Sequence, residues 1–305
     1  MFESEQQPTA HRTAEFRKHS PETGKGAGFD ARAAFHKGKA SGIDLVTARN
    51  LHIRSSRSAP QGLLVAEGDS WFDHPGGDVL SALEDIGYEV EANAHCGDTL
   101  EDMSFNPRQL GDLHRLLQRV KLSGRTPKAV LLCGGGNDIA GEEFGVLVNH
   151  AASGLPALNA AVLDGVIDGR LKVALAHWIG AVDAVGRGVF GMPLKIVIHG
   201  YDYPVPDGRG ATFGPLRPKG PWLRPGFWLK GHTNLQRNRG VVRDLINRLN
   251  DMQLSLVEEL ELPNLVHVDL RNTLSSVLYE NDWDNELHPT EAGFRSLARK
   301  IASAL

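Results

Sequence analysis

Four short apolar runs and one alternating segment, separated by stretches of helical period, constrain this 305-residue chain more than any other feature. The runs are Leu63–Ala66, Ala129–Cys133, Lys195–His199 and Leu265–Asp269, and the alternating segment is Tyr88–Ala94. Apolar residues recur three and four apart over 78–87, 108–120, 155–163, 171–185, 241–260 and 290–305. Strands alternating with helices imply a parallel sheet covered on both faces, hence an α/β fold. Ligands of such sheets bind outside the carboxyl ends of the strands. The unusual residues of this chain lie at those ends, in Gly68-Asp69-Ser70, His95-Cys96-Gly97-Asp98-Thr99 and Gly134-Gly135-Gly136-Asn137-Asp138.

Two segments stand outside the pattern. Residues 1–60 carry ten Lys/Arg against six Asp/Glu, about +4 in a chain whose net charge is −4. Their apolar residues are scattered, so they are expected to form a mobile basic arm before a domain over 61–305. Residues 200–233 hold six prolines, many glycines, the aromatics Tyr201, Tyr203, Phe213, Trp222, Phe227 and Trp228, and several Lys/Arg. A long irregular loop within a compact domain is expected to border a binding site.

The acidic balance, with a sequence pI of about 6.4, argues against nucleic acid as the main partner. Two cysteines, Cys96 and Cys133, make neither a disulfide framework nor a zinc pair, and no histidine spacing suggests a metal site. No run of 18 or more apolar residues occurs, and the first residues are polar. The expectation is a chain without membrane insertion, cytoplasmic or exported by a route that reads no N-terminal signal.

Taken singly, the candidate residues are weak. Ser70 follows a strand, where serine also serves as a helix N-cap. Asn137 follows three glycines, but no Gly-Lys-Ser/Thr follows, which excludes a P-loop, and no dinucleotide fingerprint occurs. A fixed amide at a strand end can donate to an oxyanion. Gly97 lets a backbone N–H approach a reacting oxygen, and His288 precedes Pro289 and the last helix.

Their order is specific. A serine after the first strand, a glycine after the second, an asparagine after the third and a histidine before the last helix resemble the SGNH (GDSL-type) hydrolase family. The matching blocks are Gly68-Asp69-Ser70-Trp71-Phe72, Gly97, Gly135-Gly136-Asn137-Asp138 and His288-Pro289, spread over roughly four-fifths of the chain. The resemblance implies a three-layer α/β/α sandwich with a five-stranded parallel, flavodoxin-like sheet. It implies ester hydrolysis through a Ser70 acyl-enzyme, with His288 as general base. The Ser70 N–H, the Gly97 N–H and the Asn137 amide would form the oxyanion hole, without metal or cofactor.

One position departs from the family. The triad aspartate, three residues before the histidine, is here Asn285. Asp284 is the foremost candidate to orient His288 through a shifted loop. Asp282, Glu286, or a dyad oriented by Asn285, a backbone carbonyl or a more distant acid remain open. Asp69 is expected to hold the nucleophile turn. Trp71 and Phe72 are expected in the core under the strand end or in the acyl pocket wall. Trp71, Tyr201, Asp202 and Tyr203 are the candidates for substrate contact. The expected substrate is a short acyl ester, a lipid or an acetylated glycan. The competing reading is a catalytically weak binding or interaction protein on the same scaffold. Oligomeric state stays open.

Overall fold

Leu63–Gly68 (β1) and Ala129–Cys133 (β3) are buried along their whole lengths, which requires cover on both faces of the sheet. The computed structural model supplies that cover. It describes residues 61–212 and 218–305, and the arm expected over 1–60 lies outside the described residues. Glu89–Ala92 (β2), Ile196–His199 (β4) and Leu265–Val268 (β5) complete a five-stranded sheet in the order β2-β1-β3-β4-β5. Every pairing is parallel; Val65 of β1 lies opposite Glu91 of β2 and Val130 of β3.

Six helices cover the sheet: Val79–Asp85 (α1), Leu100–Phe105 (α2), Pro107–Leu122 (α3), Lys172–Phe190 (α4), Leu235–Leu260 (α5) and Glu291–Ala302 (α6). α1 packs with α6, while α2, α3 and α5 pack around α4. Right-handed crossovers account for the division. The step from β1 to β2 runs opposite to the steps from β3 to β4 and from β4 to β5, so its helix falls on the other face. The reversal opens a cleft at the carboxyl ends of β1 and β3. Asp78 caps α1: its carboxylate accepts from the Ser81 N–H (2.7 Å) and its own N–H donates to the Ser81 hydroxyl (2.9 Å).

The structure departs from the periodic pattern in three places. α5 begins at Leu235 rather than 241, because Asn234 caps it through the Arg237 N–H (2.9 Å). Its first turns carry no apolar period to announce them. The helix expected over 155–163 begins only at Ala160, since Leu158 pairs with Val148 in an isolated β-bridge, and it continues through Asp164–Leu171 into α4. The short helix α2, capped by Thr99, had no periodic signal. By length and composition the helical span Ala160–Phe190 could cross a membrane, yet its Leu175, Trp178, Ile179 and Val182 are buried in the core.

One acid interrupts β1. Glu67 is 1% exposed, and its carboxyl pKa is raised by burial to about 8. The folded chain therefore keeps a proton that the unfolded chain releases, and stability falls as pH rises from about 4.5 to about 8. Glu67→Gln removes that loss. Urea unfolding of both proteins is expected to show the variant gaining on the wild type between pH 5 and pH 8, by about 1.4 kcal/mol for each pH step of one. An equal gap at both pH values refutes a proton held at Glu67.

Candidate active site

The turn after β1 is fixed by a buried carboxylate. Asp69 accepts from the Trp71 N–H (2.9 Å), the Cys133 thiol (3.4 Å) and the Tyr201 hydroxyl. Tyr201 in turn accepts from the Gly136 N–H (3.1 Å), which ties the ends of β1, β3 and β4 together. A Cβ at Gly68 would come within 2.8 Å of Phe72 and 2.9 Å of Cys133, so only glycine fits where the chain leaves the strand. Ser70 is thereby held at the strand end, 7% exposed.

The loop before α6 brings the histidine to it. His288 Nε2 lies 2.9 Å from Ser70 Oγ, and His288 Nδ1 lies 2.9 Å from Asn285 Oδ1. Asn285 Oδ1 also accepts from the Leu287 and His288 N–H groups, at 3.0 Å each, while Asn285 Nδ2 donates to Asp284 Oδ2 at 3.1 Å. The amide orientation follows from its partners. Flipped, it would aim an NH2 at two backbone donors and a carbonyl oxygen at a carboxylate. Oδ1 therefore faces His288, Nδ1 carries the proton, and the Nε2 lone pair receives the Ser70 hydroxyl. Asp284 does not reach the histidine, contrary to expectation. Its carboxylate stands behind Asn285, because Asn285 itself occupies the position facing the ring.

Burial pushes the His288 pKa down to about 3, with the positive charge of His74 wherever its ring is protonated, and that of Lys219, adding to the effect. The ring is packed on two sides. His74 stacks on it with centroids 4.4 Å apart, and Trp222 meets it edge-to-face at 5.4 Å.

Two further turns lie at the same end of the sheet, after β2 and β3. Gly97 has φ +99, a conformation that disfavours side chains. Asn137 Nδ2 donates to the Asp98 carbonyl (2.8 Å), leaving its second hydrogen for another acceptor. Asp138 Oδ2 accepts from the Leu100 N–H (2.8 Å), so the turns after β2 and β3 are held in register. Burial raises the Asp138 pKa to about 6. The Ser70 and Gly97 N–H groups donate to no acceptor among the described residues. Ser70, Gly97, Asn137 and His288 thus sit at one end of the sheet.

A pocket of about 40 Å³ opens beside Ser70 and Asn137, walled by Ile139, Leu223, Leu245, Ile246 and Trp283 among others. Of the substrate-contact candidates, Trp71 and Tyr201 line it, although both are buried and hydrogen-bonded, Trp71 Nε1 to the Leu287 carbonyl (3.0 Å). The Asp202 backbone reaches the pocket, but its carboxylate accepts from the N–H groups of Tyr203, Asn272, Thr273 and Leu274, which pins the chain after β5. Tyr203 is not part of this pocket. Its hydroxyl donates to Asn247 (2.7 Å) and its ring lies under the Arg243 guanidinium, in a separate cleft. Among the described residues, no three His, Cys, Asp or Glu side chains converge as metal ligands would.

The glycine- and proline-rich segment carries a feature that sequence reasoning missed. Glu286, fully buried, accepts from the backbone N–H groups of Gly208 (2.9 Å), Trp222 (2.6 Å), Leu223 (2.7 Å) and Arg224 (3.1 Å). Arg209 closes the contact from the other side, donating to the carbonyls of Trp283 (2.7 Å) and Asp284 (3.1 Å). The segment is thus pinned to the histidine loop, with Trp222 at the ring and Leu223 in the pocket wall. His74 was likewise missed; a histidine four residues after Ser70 carries no sequence signal of its own.

A family model for the GDSL-like lipase/acylhydrolase domain matches residues 64–301. Among solved structures, a carbohydrate esterase family 3 protein from Talaromyces cellulolyticus is 13% identical, covers 80% of this chain and 96% of its own, and superposes with a TM-score of 0.43. A carbohydrate acetylesterase from Sinorhizobium meliloti is 12% identical, covers 80% of this chain and all of its own, with a TM-score of 0.43. No curated protein matches the chain.

Glu286→Ala would leave four backbone donors without their acceptor. It is expected to lower the unfolding free energy by about 3–5 kcal/mol and to expose Arg209 and Arg224 to trypsin. Wild-type resistance in the variant would show that Glu286 does not anchor the segment.

Proposed function

The chain belongs to the GDSL-like lipase/acylhydrolase family of ester-cleaving enzymes, and on that premise we propose that it hydrolyses carboxylic esters of small acyl groups through a Ser70 acyl-enzyme. The observation that carries this reading is the unbroken hydrogen-bonded chain from Asn285 through His288 to Ser70, ending at a pocket of acyl size. Ser70 Oγ attacks the ester carbonyl while His288 Nε2 takes the hydroxyl proton. The negative charge formed on the carbonyl oxygen meets the Ser70 and Gly97 N–H groups and the second hydrogen of the Asn137 amide. His288 then returns the proton to the leaving alcohol, and water entering on the same side is activated by the same nitrogen to free the acid. No cofactor enters these steps.

The acyl preference follows from size. One buried water needs about 10–15 Å³ by a comparable measure, so a pocket of about 40 Å³ admits an acetyl group and little more. The apolar wall favours the methyl end of that group, and Asn137 marks the oxygen end.

Four measurements test the reading. A fluorophosphonate is expected to add once to the wild type and not to Ser70→Ala; absence of an adduct from pH 5 to 9 would favour the binding-protein reading. Among p-nitrophenyl esters the acetate is expected to give the highest kcat/KM, with a steep fall beyond four carbons. Asn137→Ala should lower kcat about a hundred- to a thousand-fold. The pH dependence has a stated sign: the base must be neutral, and His288 is neutral above a pKa near 3. The acid limb of kcat/KM is therefore expected well below the value for free imidazole, about 6.5. A limb at 6.5 or higher refutes a buried, uncompensated base.

A further inference from the structure

We infer that the ring face of His74 takes the place of the missing triad carboxylate, stabilising the imidazolium that forms on His288 when Ser70 gives up its proton. The inference rests on the catalytic reading of Ser70 and His288 and deepens it.

A triad carboxylate has two tasks: to hold the tautomer and to stabilise the imidazolium. Asn285 performs the first through Oδ1 and has no charge for the second. The groups facing His288 are few. From its own loop come neutral Asn285 and, behind it, the exposed Asp284; Glu286 turns its carboxylate to backbone N–H groups of the 208–224 segment. From that segment come the Lys219 ammonium, which opposes a positive ring, and Trp222. From the nucleophile turn comes His74, stacked at 4.4 Å and 27°. His74 Nδ1 accepts the Gly76 N–H (3.2 Å), so it has no proton there and the ring is neutral. Asp73, Asp78 and Asp284 surround His74, and burial outweighs them in setting its pKa below the usual value. A neutral ring stacked face to face attracts a cation through its π system, most strongly where water is excluded. His288 is 3% exposed. The proton lost by Ser70 as its Oγ–carbonyl bond forms therefore rests on a ring stacked against the π face of His74 until the alcohol takes it back.

The test uses the full chain and p-nitrophenyl acetate. His74→Leu is expected to lower kcat about 3- to 30-fold with KM nearly unchanged, and to move the acid limb to lower pH. His74→Phe, which keeps a π face, should recover most of the loss. The deciding comparison places both variants in an Asp284→Asn/Asn285→Asp background, which moves the carboxylate onto Nδ1 and preserves the hydrogen bond between the two side chains. There the Leu substitution should cost at most half as much on a logarithmic scale, because a carboxylate now carries the charge. Equal costs in both backgrounds, or no shift of the acid limb, indicate packing alone and overturn the inference. Fluorophosphonate labelling of the wild type separates the two layers: a labelled Ser70 with an insensitive Leu variant overturns only this inference, and an unlabelled Ser70 overturns the catalytic reading with it.

Discussion

Two adjacent side chains, Asn285 and Glu286, are buried completely in the loop before α6, and the rest of the site depends on how their polar atoms are satisfied. Asn285 turns toward the sheet end and spends its oxygen on His288. Glu286 turns the other way and accepts four backbone N–H groups of the 208–224 segment. A buried polar atom without a partner costs on the order of 1–3 kcal/mol, more if charged. The loop therefore cannot shift by one residue without stranding both. This explains why Asp284 is kept from the histidine: bringing it there would draw Asn285 and Glu286 out of register with all their donors.

The same constraint separates two tasks that a triad carboxylate performs together. Exchanging a triad aspartate for asparagine is damaging when the amide selects the wrong tautomer. Here the Leu287 and His288 N–H groups and the Asp284 carboxylate fix the amide from both ends. The ring orientation survives and only the charge is lost. With burial already depressing the His288 pKa, the ring stays neutral over a wide pH range, and in the proposed reaction it is the charged ring that needs support.

How much of this could be read from the sequence depends on whether a residue acts locally or across the fold. The parallel sheet was legible, because fully buried strands must be apolar runs and their ends carry turn residues. Ser70, Gly97, Asn137 and His288 were legible as candidates only as an ordered set, each lying just past a strand or just before a helix and weak by itself. Asn285 was visible as a departure, but its consequence was not, since the choice between Asp284 and Asn285 turns on loop hydrogen bonds between near neighbours. The roles of Asp202 and Glu286 lay out of reach. Each accepts backbone N–H groups from residues about 60 to 80 positions away, and a backbone donor leaves no trace in residue type. Tyr201 was expected at the substrate, yet its hydroxyl holds Asp69; a strand-end tyrosine looks the same in sequence either way.

Glu286 also bears on how substrate enters. A loop rich in glycine and proline invites the picture of a swinging lid. Lifting the 208–224 segment away would return four N–H groups to water and leave a carboxylate without its donors, in a place where Glu286 is fully buried and burial already raises its pKa. Such a motion opposes several kcal/mol. Its described parts, 208–212 and 218–224, are better understood as fixed wall: they set Leu223 against the pocket beside Ser70 and Trp222 against the His288 ring. A rigid wall limits the pocket to the volume it has in the closed chain. The small-acyl preference proposed for this site then has its origin in the burial of a single glutamate, Glu286, beside Asn285.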